Sequence, residues 1–169
     1  TNSGKFGKAL NFDGTNDYVN IGDIPEVDFG TGNFTFTVWI RIGSLTQTRG
    51  LILGKDLNGT GTRQFSLEWD PDDNNNNKLR IAYFIATDSS ILGDTTNNII
   101  ADTNWHHVVG MRVQNSFKIF VDGDSKTLAT NGTHGTMQAT TAQLQIGRRE
   151  FAGFTDEFFY FFQTGFHFN

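Results

Sequence analysis

The stretch Asn33-Phe-Thr-Phe-Thr-Val-Trp-Ile-Arg-Ile42 alternates without a break: Phe34, Phe36, Val38, Ile40 and Ile42 fall on one side of an extended chain, and Thr35, Thr37, Trp39 and Arg41 on the other. Successive side chains of a strand point to opposite faces, so a period of two sustained over this length specifies a β-strand and tells which face it buries. A helix would scatter the same apolar residues around its circumference. The spacing predicts a central strand with the Phe34-to-Ile42 set in the core.

Working outward, the same period recurs at 51–55, 64–69, 79–86, 105–113, 117–121, 125–129, 144–147 and 155–162, with Gly, Asn and Asp between the runs. Many short strands at regular spacing read as a β-sandwich or barrel. Asp122-Gly123 suits a tight hairpin, because both residues tolerate positive φ. The run at 158–162 is wholly aromatic and predicts a strand covered on both faces. No window carries a helical stripe, and no repeat of solenoid length is present.

Composition agrees. Phe at 17 and Gly at 19 against 2 Pro and 2 Met is the make-up of strands and turns. The 169 residues fit one domain spanning the whole chain, and a domain of that size buries roughly 70% of the surface its unfolded chain exposes. Cys is 0, which excludes disulfides and thiolate metal or redox sites. A net charge of -5 without basic clusters argues against a nucleic-acid partner. No apolar run reaches the roughly 20 residues a spanning helix needs, so no membrane insertion is expected. Because the chain starts at Thr1, we expect a processed protein or one domain of a longer chain.

Four stretches, taken in order, resemble the LamG-like jelly-roll domains of the concanavalin A-like lectin/glucanase superfamily. They are Ala9-Leu-Asn-Phe-Asp-Gly-Thr-Asn-Asp-Tyr-Val19, Phe34-Thr-Phe-Thr-Val-Trp-Ile40, Trp105-His-His-Val-Val109 leading to Ile119-Phe-Val-Asp-Gly123, and Gly153-Phe-Thr-Asp-Glu-Phe158. The resemblance implies an all-β fold of two packed antiparallel sheets with the first and last strands adjacent. It also implies an extracellular or cell-surface setting. The Phe-rich run from Phe159 to Asn169 departs from the family pattern, and self-association through it is one reading.

The same adjacency implies that Ala9 lies opposite the neighbourhood of Phe161 and that Asp13 falls beside Asp156. Two carboxylates brought together need a positive partner, and an oxygen-rich cluster suits Ca²⁺. LamG-like domains often carry a structural calcium, for which Asp13, Asp17, Asp28 and Asp156 are the candidate ligands here. The competing reading of Asp13 and Asp17 is that they serve a turn, as Asp13-Gly14 alone would. Asp70, Asp72 and Asn74 begin like an EF-hand loop, but Asn75 stands where that loop needs Gly and Ile81 where it needs Glu. A protruding polar loop is the better reading of 70–77.

Sugar-binding sandwiches set aromatic rings against pyranose faces and amides or carboxylates against hydroxyls. Trp39, Trp69 and Tyr83 are the aromatic candidates, with Asp72, Asn74 and Asn76 as polar partners; core placement is the alternative for both tryptophans. Glu68 and Asp72 hint at the carboxylate pair of a glucanase, but Pro71 interrupts the strand between them and Asp72 is shorter than the usual acid. Adjacent His106 and His107 point to opposite faces and cannot converge on one ion. His107 is expected buried and hydrogen-bonded, while His134 and His167 have no evident partners. Three Asn-X-Thr triplets, at Asn33, Asn58 and Asn131, fit the glycosylation sequon. The chain therefore reads as a non-catalytic glycan-binding module, with a structural or protein-adhesion module as the competing class.

Overall fold

The computed structural model describes residues 4–45, 50–56, 63–69, 76–86, 89–131, 135–151, 154–157 and 160–164. The strand read first from the sequence is β3, Phe34–Ile42, and its residues alternate buried and half-buried along their whole length, with Phe34, Phe36, Val38, Ile40 and Ile42 inward. It lies inside a six-stranded antiparallel sheet of order β1 (Leu10–Asn11), β15 (Tyr160–Thr164), β3, β8 (Trp105–Val113), β9 (Ser116–Val121) and β10 (Asp124–Lys126). The second sheet has seven strands, in the order β11 (Leu128–Asn131), β7 (Ser89–Thr95), β6 (Leu79–Ala86), β5 (Arg63–Trp69), β4 (Gly50–Asp56), β12 (Leu144–Ile146) and β2 (Val19–Gly22). The two sheets form a sandwich, as expected. Their facing side chains build one core from Phe34, Phe36, Phe65, Leu67, Ile81 and their neighbours. At Gly93 the layers come so close that a Cβ would stand 2.8 Å from the Phe117 ring of the opposite sheet.

The chain ends are neighbours: β1 runs antiparallel to β15 with Asn11 opposite Phe161, and β15 in turn pairs with β3. Two expectations need correction. The run at 155–162 is not one strand, because β14 (Phe154–Glu157) folds back on β13 (Arg148–Phe151) as a separate two-stranded ribbon before β15 enters the first sheet. The run at 125–129 also divides. After the Asp122-Gly123 turn, whose residues both have positive φ, β10 pairs with β9, and the chain then crosses to the other sheet as β11. Strand β7 was not foreseen, since Ser89-Ser-Ile-Leu-Gly-Asp-Thr95 offers little alternation; its place is set by pairing with β6. Every residue of β4 is buried, so that strand is covered on both faces.

Candidate functional site

Lys55 closes an otherwise apolar run, Leu51-Ile-Leu-Gly-Lys55, at the end of β4. Its side chain is fully buried, and its ammonium lies 2.8 Å from an Asp23 carboxylate oxygen, 2.7 Å from Oδ1 of Asp28 and 3.5 Å from the Ile24 carbonyl. A buried ammonium is tolerated only when paired and hydrogen-bonded, and these three oxygens meet that requirement. The segment that supplies them turns through a short 3-10 stretch, Pro25–Val27, started by Pro25 and ending where the Asp28 N–H donates to the Pro25 carbonyl. The β4–β5 register shifts between Lys55 and Asp56, and at that irregularity the buried Gln64 donates from Nε2 to the same Asp28 oxygen at 2.7 Å. Above this group opens a pocket of about 420 Å³ lined by Asp23, Asp28, Ala139, Thr140 and Thr141. It offers carboxylate and hydroxyl groups at the surface.

A second polar group lies at the start of β8. Nδ1 of His106 faces Asp122 at 2.7 Å and Nε2 faces Asp102 at 3.1 Å, while Asp122 also accepts the His107 N–H at 2.8 Å. The Asn104 N–H and then His106 hold Asp102 below the usual carboxylate range. For Asp122, burial pushes upward but is outweighed by His106, the His107 N–H and Lys126, and the net shift is down. His107 points the other way and is hydrogen-bonded, as expected, but it is half-buried rather than buried, lying against Trp39 with its Nε2 2.7 Å from the Thr37 hydroxyl. These bonds tie β8 to the turns at 102–104 and 122–123.

The aromatic site read from the sequence is not brought together. Trp69 and Tyr83 belong to the inward faces of β5 and β6 and are fully buried, so neither has a ring face to offer a sugar; this corrects both assignments. Trp69 alternates with Ser66 and Glu68, which are buried on the other face of β5, and among the described residues its indole Nε1 has no hydrogen-bond partner. Tyr83 is held by the Gly135 backbone, whose N–H donates to the phenol at 2.8 Å, and burial raises its phenol despite that bond and nearby Arg112. Trp39 does stand on the outer face of β3, but Phe6 meets it edge-on at 5.5 Å, His107 lies at 5.0 Å, and the Lys5 ammonium is 5.2 Å from its centre. Asn76 is half-buried and accepts the Asn98 N–H on its carbonyl at 2.7 Å. Asp72 and Asn74 lie outside the described residues, as do His134 and His167.

Three of the four aspartates assigned to calcium, Asp13, Asp17 and Asp28, have partners within the protein. Asp13 accepts the Thr15 N–H at 2.8 Å, and Asp17 accepts the Asp13 N–H at 3.1 Å, which is the turn reading of that segment. Asp28 is engaged by Lys55 and Gln64. Among the described residues no three acidic or histidine side chains gather where they could hold a metal. Asp156 sits opposite Arg149 in the β13–β14 ribbon, and its side chain lies outside the described residues. Glu68, the other carboxylate singled out, is buried and accepts the Ser66 hydroxyl at 2.6 Å. Sequence reasoning passed over Asp23, Lys55, Gln64, Thr140 and Thr141. The signal was a lysine inside a buried strand pattern, which demands a carboxylate from elsewhere in the chain.

Two antiparallel sheets packed face to face, closed by neighbouring terminal strands and carrying a polar pocket at the strand ends, define a concanavalin A-like jelly roll. The chain belongs to the Laminin_G_3 family of the concanavalin A-like lectin/glucanases superfamily, whose profile matches residues 13–161. Comparison with curated proteins finds no significant match. Similar solved structures include mouse laminin alpha1 chain domains LG4-5, at 16% identity and TM-score 0.61 over 91% of this chain and 39% of that one. Domain 4 of AbnA, an extracellular arabinanase from Geobacillus stearothermophilus solved with arabinotriose, is similar at 15% identity and TM-score 0.61, over 94% of this chain and 71% of that one. Trypanosoma rangeli sialidase, solved with a difluorosialic acid, is similar at 18% identity and TM-score 0.64, over 96% of this chain and 25% of that one. The chain thus spans well under half the length of the laminin and sialidase chains, and at these identities the likeness is one of fold. Among the described residues no helix is long and apolar enough to cross a membrane.

Proposed function

We propose that the chain is a non-catalytic carbohydrate-binding module of a larger extracellular protein, and that the pocket at Asp23, Asp28, Thr140 and Thr141 receives the sugar. The supporting observation is the pocket itself: at about 420 Å³ it lies in the size range of small-molecule sites, and two aspartates and two threonines line it. Carboxylates accept from sugar hydroxyls, and threonine hydroxyls both donate and accept. The arabinanase domain solved with arabinotriose has the same fold, and the extracellular character of that enzyme supports the setting proposed here. Burial of Glu68 supports a role without hydrolysis, because a general acid must reach the glycosidic oxygen. A glycan array probed with the intact chain and with Asp23→Asn tests this reading. We expect hits that the variant weakens, and a blank array refutes it.

One observation favours an adhesion module instead. Phe6, Leu10, Tyr18 and Ile21, the large apolar side chains exposed among the described residues, all fall within the first 22 positions, and β1 and β2 are edge strands. Sedimentation of the chain as a concentration-dependent dimer, together with a blank array, would select this reading.

A further inference from the structure

Resting on the pocket reading above, we infer that the site selects neutral, hydroxyl-rich sugars over anionic ones and holds them without a divalent cation, because the Lys55 ammonium already occupies the cation's place. Two carboxylates meet one ammonium there, at 2.8 and 2.7 Å, so the group carries a net negative charge. An incoming sialate or uronate would add a further anion at the same point. A divalent ion would have to bind the oxygens that Lys55 holds and would stand beside a buried ammonium, two like charges within contact distance.

Gln64 is the independent observation that points to a ligand. The Asp28 carboxylate only accepts, which fixes the amide with Nε2 toward it. Oε1 shares a carbon with Nε2, which is bonded to Asp28 of the pocket lining, and among the described residues this buried oxygen has no hydrogen-bond partner. Buried acceptors are almost always satisfied, so a donor from outside the protein is called for. A sugar hydroxyl supplies one, and the same ring can accept from a threonine hydroxyl of the lining.

The test is one array carrying neutral glycans alongside sialylated and uronate-containing ones, probed with the intact chain in EDTA and again in CaCl₂. We expect neutral glycans to bind equally in both buffers and Asp23→Asn to weaken them about tenfold or more, the loss of one charge-assisted hydrogen bond. Binding confined to acidic glycans, or present only with CaCl₂, overturns the inference while leaving the carbohydrate reading standing. A blank array overturns both. Thermal melting verifies that Asp23→Asn folds, and Thr141→Val at the exposed rim is the second variant should it not. Neutral binding untouched by both substitutions places the sugar elsewhere and also overturns the inference.

Discussion

Replacing Lys55 by Met keeps the length of the side chain and deletes the charge, which isolates what the ammonium does. Its side chain is 0% exposed, against 23% for Asp28 and 40% for Asp23, so the substitution strands one largely buried carboxylate and one that can turn toward water. Breaking a buried pair costs about 3–5 kcal/mol, and the exposure of Asp23 places this case at the low end, about 3 kcal/mol. For a domain of this size that corresponds to a fall in Tm of about 6–12 °C. Urea unfolding at pH 7 reads the free-energy loss, and a thermal melt reads the fall in Tm. Adding Asp28→Asn to Lys55→Met should recover most of the loss at pH 7. A deficit under about 1 kcal/mol at pH 7, or no recovery in the double variant, would refute the account of Lys55 as the cation that makes this pocket tenable.

Gly147→Ala should destabilise by at least about 1–2 kcal/mol in the same assay, because the residue has φ 83° and an added Cβ would lie 2.8 Å from the Phe12 ring. Arg112→Lys should cost about 1.5–3 kcal/mol: the guanidinium spans the carbonyls of Gly30 and Gly135, each at 2.9 Å, while lying over the Tyr83 ring, and a lysine reaches one carbonyl at a time. Asp102 and Asp122 are held below their ordinary range, so their contribution to stability is present above the unfolded carboxylate value and is lost as the pH falls through the folded one. His106→Phe should therefore flatten the acid limb of the stability curve, and an unchanged limb would show that His106 does not hold them.

Much of the sandwich was legible because one face of each central strand had to be apolar. The alternation of β3 named its buried set, and the tight turn at Asp122-Gly123 was readable from the two residues that accept positive φ. Where an expectation failed, the missing information was non-local. Nothing within 155–162 or 125–129 states which sheet each half joins, since that depends on partners far away in the chain. Trp69 and Tyr83 looked like platforms beside a polar loop, but both stand on the inward face of strands that a second layer covers.

By itself, then, the sequence determined the strand periods, the absence of cysteine chemistry and the family, all properties that follow from local spacing and composition. Tertiary structure alone decided that Lys55 and Gln64 from the second sheet meet Asp23 and Asp28 from the loop before β3. Coulombic pairing and the cost of burying an unmatched charge act through space, so residues 27 to 36 positions apart become one site only when the fold closes around them.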